Sequence, residues 1–242
     1  MSQLTGKVAI VTGAGSGIGK GISRAFAREG ARLVLASRNR TNLERTAAEI
    51  NASSPPLVVP TDVTREDDVM ALFRTTVEAL GRVDILVNNS GVFDGGPLEE
   101  LTLETWQKVV DVNLTGPFLL SREAMRIMKR QRGGRIINIG SISAQMPRQN
   151  SVPYSTTKHG LVGLTKAAAL EGRDFGVVVS CLHPGNVETE RRAASDAPAD
   201  QESMMSVDDI AKVALAMAAL PPDVNLLEAI VLPVGQLYLG RG

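Results

Sequence analysis

Aromatic residues are scarce. One Trp, two Tyr and five Phe make up only 3% of 242 residues, while hydrophobic residues reach 43%. Ala, Val, Ile and Leu must therefore fill the core, which suits parallel strands covered by helices on both faces. A single cysteine, Cys181, excludes an internal disulfide and any cysteine-based zinc site. It lies in an apolar stretch, 177–182, and reads as a buried core thiol. Neither charge dominates: Lys+Arg and Asp+Glu number 26 each. That balance lends no support to nucleic-acid or acidic-membrane partners. No apolar run is long enough to span a bilayer. The two histidines and scattered carboxylates show no metal-ligand spacing. Residues 1–7 lead straight into a strand pattern with no signal or transit signature, so a cytoplasmic location is expected.

What is present is an alternation. Short buried strands are predicted at 7–11, 32–36, 57–60, 83–87, 135–139, 177–182 and 229–232. Helical spacing fills the gaps at 17–28, 40–51, 66–80, 103–129, 154–171 and 207–219, with a break expected near Asn113. Strands separated by helices of this length imply right-handed crossovers and a doubly wound parallel α/β sheet. Residues 1–242 are expected to form one domain. No internal repeat interrupts it. The stretch 188–203 lacks apolar periodicity and reads as mobile surface, and 188–206 is expected to be a mobile substrate-site segment.

The first strand runs into Thr12-Gly13-Ala14-Gly15-Ser16-Gly17-Ile18-Gly19, and a helix follows. Glycines allow the tight turn and let backbone N–H groups approach a pyrophosphate at the helix N-terminus. In its position after the first strand, the loop points to a dinucleotide. NAD-binding sites commonly place a carboxylate ~20 residues further on, for the ribose hydroxyls. Here the second strand exits into Ser37-Arg38-Asn39-Arg40 with no carboxylate. A hydroxyl and guanidinium groups suit a 2′-phosphate, so NADP(H) is favoured over NAD(H). The alternative is that Arg38 and Arg40 merely begin the next helix as solvated charges.

Tyr154 and Lys158 stand four residues apart, and Ser141 thirteen residues before the tyrosine. Positions i and i+4 share a helix face, which sets an ammonium beside a phenol. A phenol titrates near pH ~10 in water. A unit charge about 4 Å away is worth roughly 4 kcal/mol near a protein surface, enough to ease its ionisation for acid–base work. Thr12, Asn88, Ser141 and Pro184 all follow predicted strands, so they gather on one sheet edge.

In joint order these motifs resemble the short-chain dehydrogenase/reductase family in its common, non-extended form. They comprise Thr12-Gly13-x-x-x-Gly17-Ile18-Gly19, Asp62-Val63, Asn88-Asn89-Ser90-Gly91, Asn113, Ser141, Tyr154-x-x-x-Lys158 and Pro184-Gly185-x-Val187-x-Thr189. The resemblance implies a Rossmann-like fold and hydride exchange between a nicotinamide and a ketone, aldehyde or alcohol. It implies that Tyr154 is the acid or base and that Ser141 binds the carbonyl oxygen. Lys158 would hold the nicotinamide ribose and favour tyrosinate, and Asn113 would anchor a water linked to that lysine. Cofactor contacts would come from Gly13, Gly15, Ser16, Gly17, Ile18 and Gly19 of the loop. Ser37, Arg38, Asp62 and Val63 would serve the adenosine end, with Asp62 on the adenine. Asn88 would reach the cofactor ribose region, with Ser90 and Gly91 beside it. Pro184, Gly185, Val187 and Thr189 would meet the nicotinamide, Thr189 holding its carboxamide.

Two departures stand out. Ser90 replaces the family's usual alanine. The C-terminus lacks the usual Thr-Gly-x-x-x-x-x-Asp-Gly-Gly ending and is closer to a Gln-x-x-x-Gly-Arg tail, which argues away from the fatty-acid-synthesis role of many relatives. A 3-oxoacyl-thioester reductase is nevertheless an alternative, and a catalytically silent dinucleotide sensor or scaffold is another. Arg191 and Arg192 would either meet an anionic substrate or lie solvated. His159 reads as packing, His183 as a turn residue, and Trp106 as a core or subunit contact. A homodimer or homotetramer through the helices carrying Asn113 and Tyr154 is what the resemblance implies.

Overall fold

The computed structural model describes residues 2–50, 52, 54–190 and 203–237. Seven strands form one sheet: β1 (Val8–Thr12), β2 (Arg32–Ser37), β3 (Leu57–Pro60), β4 (Ile85–Asn88), β5 (Gly134–Ile139), β6 (Val177–Pro184) and β7 (Glu228–Val231). Their order is β3-β2-β1-β4-β5-β6-β7, and every neighbouring pair is parallel. The winding direction reverses between β1 and β4, which opens the crevice where ligands of such sheets bind.

The period of two assigns each strand residue to a face. Ala9 and Val11 of β1, with Leu33 and Leu35 of β2, enter one apolar cluster. Val8 and Ile10, with Val34 and Ala36, enter the other. The first cluster packs beneath α1 (Gly17–Arg28), α2 (Arg40–Glu49) and α7 (Val207–Ala219) through Ile22, Phe26, Leu43, Ile210 and Met217. The second packs beneath α3 (Glu66–Leu80), α5 (Gly116–Gln131) and α6 (Val152–Gly172). Two buried faces explain why β1 is buried along its whole length. Among the described residues, no helix is long and apolar enough to cross a membrane.

Several boundaries differ from expectation, and four places show why. The fourth strand begins at Ile85, not at 83. The Gln131 side chain takes both backbone groups of Val83, accepting its N–H at 3.1 Å and donating to its carbonyl at 2.7 Å. A side chain thus replaces the ladder there. The break expected near Asn113 is instead a widened π turn, Asp111–Thr115, joining α4 (Leu103–Val110) to α5. Pro117 has no N–H to give the Asn113 carbonyl and would crowd it in a regular turn, which favours the widening. Helix α6 starts at Val152, two residues early, with Pro153 in its first turn. His183 is no turn residue: it lies within β6, fully buried. Of the stretch 188–206, residues 191–202 fall outside the described residues, and with them Arg191 and Arg192. Its flanks are held together, since Glu188 N–H donates to the Met205 carbonyl at 2.9 Å and Met205 N–H to that of Asn186 at 3.0 Å.

Candidate active site

A parallel sheet collects on its carboxyl edge whatever follows each strand. Thr12 closes β1. Its hydroxyl donates to the Val87 carbonyl at 3.2 Å and accepts the N–H groups of Asn89 at 3.0 Å and Ser90 at 3.1 Å. The Asn89 amide also donates to the Thr12 carbonyl at 2.9 Å and that of Gly13 at 3.3 Å. These bonds pin the Ser90-Gly91 turn against the glycine loop.

Within that loop, Gly17 adopts φ +51°, a left-handed conformation that glycine tolerates best. Gly19 packs so tightly on the Gly13 carbonyl and the Asn89 amide that a Cβ would overlap both. Helix α1 therefore starts directly behind the turn formed by Gly13, Gly15 and Ser16. Its N-cap, Ser16, makes no side-chain cap, and its first turn carries no acidic residue. The uncapped N–H groups, with Ile18 among them, form an anion cradle. One anion is seated there: Gly17 N–H donates to the Glu190 carboxylate at 2.8 Å.

The adenosine-end candidates gather nearby. A Cβ at Gly15 would stand 3.4 Å from the Ser37 hydroxyl and 3.0 Å from Asn42 Cβ. Arg38 follows Ser37 and is exposed. Asp62 accepts the Thr64 N–H at 3.0 Å and its hydroxyl at 2.8 Å. Burial opposes ionisation of Asp62, but these bonds and the charges of Arg38 and Arg65 outweigh it and hold the carboxyl below its ordinary range. Val63 is a packing residue, buried against Gly116 at the start of α5.

Asn88 turns its side chain inward. Its side chain is 2% exposed and turns into the protein, where the amide donates to Ser121 Oγ at 3.0 Å and Asn138 Oδ1 at 2.8 Å. Asn138 in turn donates to the Thr165 hydroxyl at 2.9 Å. This buried polar chain ties β4 and β5 to helices α5 and α6, so the Asn88 side chain does not face the mouth of the crevice.

Of the four catalytic candidates, Asn113, Tyr154 and Lys158 lie near one another, and Ser141 follows two residues after the carbonyl that anchors Lys158. Lys158, only 5% exposed, places Nζ 5.5 Å from the centre of the Tyr154 ring. The same Nζ donates to the Ile139 carbonyl at 2.8 Å, which anchors α6 to the end of β5. Gly140 and Ser141 follow immediately. Ser141 Oγ accepts the Ser143 N–H at 3.1 Å, leaving its own proton to donate elsewhere. Asn113 sits in the π turn and binds the Val92 backbone and, at 3.4 Å, the Thr157 hydroxyl. A Cβ at Gly91 would stand 3.5 Å from Asn113 Oδ1 and 4.0 Å from Lys158 Nζ. Phe93 packs its half-exposed ring on that of Tyr154, with centres 5.1 Å apart and planes tilted 59°. A concavity of about 390 Å³ flanked by Arg148, Ser151, Ser155 and His159 lies round α6 from the Tyr154–Lys158 face.

The last group follows β6. Gly185 N–H donates to the Val231 carbonyl at 2.7 Å, and Val187 pairs with Met205. Asn186 N–H donates to Gln236 Oε1 at 2.8 Å. Thr189 lies over the loop, its methyl 3.3 Å from where a Gly17 Cβ would be. Sequence reasoning missed Asn89, Phe93, Glu190 and the role of Gln236. Asn89 was legible, since it stands inside a quoted motif; the other contacts join distant segments and left no local signal. Gly240 and Arg241 of the proposed tail pattern lie outside the described residues.

This is the sheet-edge site of a doubly wound α/β enzyme. The sequence profile of the family described as short chain dehydrogenase matches residues 7–200, and the chain belongs to that family of oxidoreductases. A "Short chain dehydrogenase/reductase astE" of Aspergillus oryzae is 43% identical over 197 residues, covering 80% of this chain and 76% of that one. A Mycobacterium marinum short-chain dehydrogenase/reductase superposes with TM-score 0.89 at 32% identity, covering 94% of each chain. An alcohol dehydrogenase from the archaeon Thermococcus sibiricus, complexed with 5-hydroxy-NADP, reaches 0.87 at 29% identity, covering 95% of this chain and 97% of the other. A Brucella melitensis 3-ketoacyl-(acyl-carrier-protein) reductase complexed with NADH reaches 0.87 at 33%, covering 95% and 98%.

Proposed function

We propose that the protein interconverts a ketone or aldehyde and an alcohol, with a nicotinamide dinucleotide as the hydride carrier. The observation that carries this is the buried Lys158 ammonium, hooked to Ile139 and 5.5 Å from the Tyr154 ring centre. The α1 cradle fits the cofactor: it is uncapped by its own residues, and a carboxylate already sits on it. Gly13, Gly15, Ser16, Gly17, Ile18 and Gly19 would hold the diphosphate. Asp62 would take the adenine side, and Ser90 and Gly91 the nicotinamide ribose with Tyr154 and Lys158. Pro184, Gly185, Val187 and Thr189 would flank the nicotinamide. NADP(H) is favoured because Ser37 and exposed Arg38, with no carboxylate at the end of β2, suit a 2′-phosphate. The Thermococcus structure supports NADP and the Brucella one NADH.

When bound, the nicotinamide supplies or accepts the hydride. Tyr154 gives its phenolic proton to the substrate oxygen in reduction and accepts it back in oxidation. Ser141 donates its free hydroxyl proton to the same oxygen as negative charge develops there. Lys158 stabilises negative charge on the phenol oxygen. Residues 1–242 act as one domain.

A 3-oxoacyl-thioester reductase is the second reading, favoured by the likeness to the Brucella enzyme. A silent dinucleotide sensor would not need the intact Ser141, Tyr154 and Lys158. Exposed Phe118 and Leu170, with open space at Gly163 on α6, support a homodimer or homotetramer through α5 and α6. NADPH oxidation across a carbonyl panel tests the activity. Tyr154→Phe should abolish turnover while keeping cofactor affinity, and equal turnover by that variant would remove the mechanism.

A further inference from the structure

The diphosphate cradle is bonded by a residue far away in the chain. Glu190 lies 173 positions beyond Gly17, yet its carboxylate accepts the first N–H of α1 at 2.8 Å. A helix start with no cap of its own favours an anion there, through its unpaired N–H groups and its dipole. Burial opposes ionisation of Glu190. Its bonds to its own N–H and that of Gly17, with the charges of Lys20 and Arg24, outweigh this and hold the carboxyl below its ordinary range. It is therefore an anion at neutral pH.

We propose that Glu190 is a displaceable internal anion, which occupies the α1 cradle until the cofactor diphosphate takes its place and so loosens cofactor binding. The inference rests on the dinucleotide reading above. The physics is competition. Gly17 has one N–H, and a carboxylate and a diphosphate cannot both accept it. A retained carboxylate would also repel the incoming anion. Both routes lower affinity and speed release. Thr189 packs on Gly17 beside the carboxylate, and the charges of Lys20 and Arg24, one turn apart on α1, both act on Glu190. Lys20 is already paired with Glu49 at 2.8 Å.

The sign of one mutational effect decides the matter. A residue that contacts bound cofactor favourably would weaken binding when removed; a competitor strengthens it. NADPH and NADP⁺ affinities of the wild type, Glu190→Gln and Glu190→Ala should be measured by nicotinamide fluorescence and calorimetry. Both variants should bind about ten-fold more tightly, with slower release in stopped flow. Inorganic pyrophosphate should gain affinity in parallel, since it shares only the cradle. Glu190→Ala should also melt at lower temperature than the wild type when free, and lose that deficit when cofactor is bound. Unchanged or weaker cofactor binding by the variants, with the wild type binding normally, would overturn the inference and leave the dinucleotide reading standing. Failure of every form to bind NADPH or NADH would overturn both. Binding by the variants alone would support the inference in its strongest form.

Discussion

Asn113 holds Val92 by both backbone groups: its Oδ1 accepts the Val92 N–H and its amide donates to the Val92 carbonyl, each at 2.8 Å. The clasp joins the π turn to the segment between Gly91 and Phe93, and Phe93 packs on Tyr154. One side chain thus positions the wall beside Tyr154 and Lys158 without touching the phenol.

Replacing Asn113 by Leu leaves two buried or half-buried backbone groups unpaired. At about 1–3 kcal/mol each, the fold should lose roughly 2–6 kcal/mol. Turnover should fall further than stability explains, because Phe93 and Gly91 are freed together. Urea unfolding and steady-state kinetics on folded protein would check this. A variant that is destabilised yet keeps full kcat would confine the clasp to a structural role.

Arg38 should set the choice of cofactor. A charge-assisted bond to a 2′-phosphate contributes about 1.5–3 kcal/mol. Arg38→Ala should therefore lower the NADPH-to-NADH ratio of kcat/KM by at least about ten-fold. Arg38→Glu should lower it more. An unaltered ratio would make Arg38 a solvated charge at the head of α2.

His183 should shape the acid limb of stability. The Ser141 carbonyl can only accept, so Nδ1 donates to it at 3.0 Å, while Nε2 is buried with no hydrogen-bond partner. Burial holds this imidazole below its ordinary pKa, with the Lys158 and Lys166 charges acting the same way and the Ser141 carbonyl and Glu228 opposing. Below about pH 6.5 the unfolded chain takes up a proton that the folded one refuses. Stability contributed at neutral pH should thus be lost as pH falls below that value. His183→Asn should flatten the slope between about pH 6.5 and 5 in denaturant titrations. A slope identical to the wild type would mean that the imidazole titrates freely in the folded state.

Cys181 should be inert in the native protein. It is fully buried in β6, and burial pushes its thiol up to about 11, against the pull of the Lys158 charge. A disulfide reagent at pH 8 should react with the unfolded chain at least about a hundred-fold faster than with the native one. Rapid labelling of native protein would show that β6 opens readily at this point.

Much of this molecule is decided locally. Alternating apolar residues assign Val8 and Ile10 to one face of the sheet and Ala9 and Val11 to the other, because successive side chains of a strand point opposite ways. The span of α1, the burial of Cys181 and the pairing of Tyr154 with Lys158 follow from spacings of a few residues, which helix and strand geometry convert directly into position. Tertiary packing decided what spacing does not encode. Whether Asn88 faces the crevice or the Ser121–Asn138 chain depends on helices far along the chain. Val83 leaves its strand because Gln131 reaches it. Glu190 finds Gly17, and Gln236 finds Asn186, only once the sheet has brought its ends together. Side-chain to backbone bonds across such separations obey no periodicity, so the three-dimensional arrangement alone selects them.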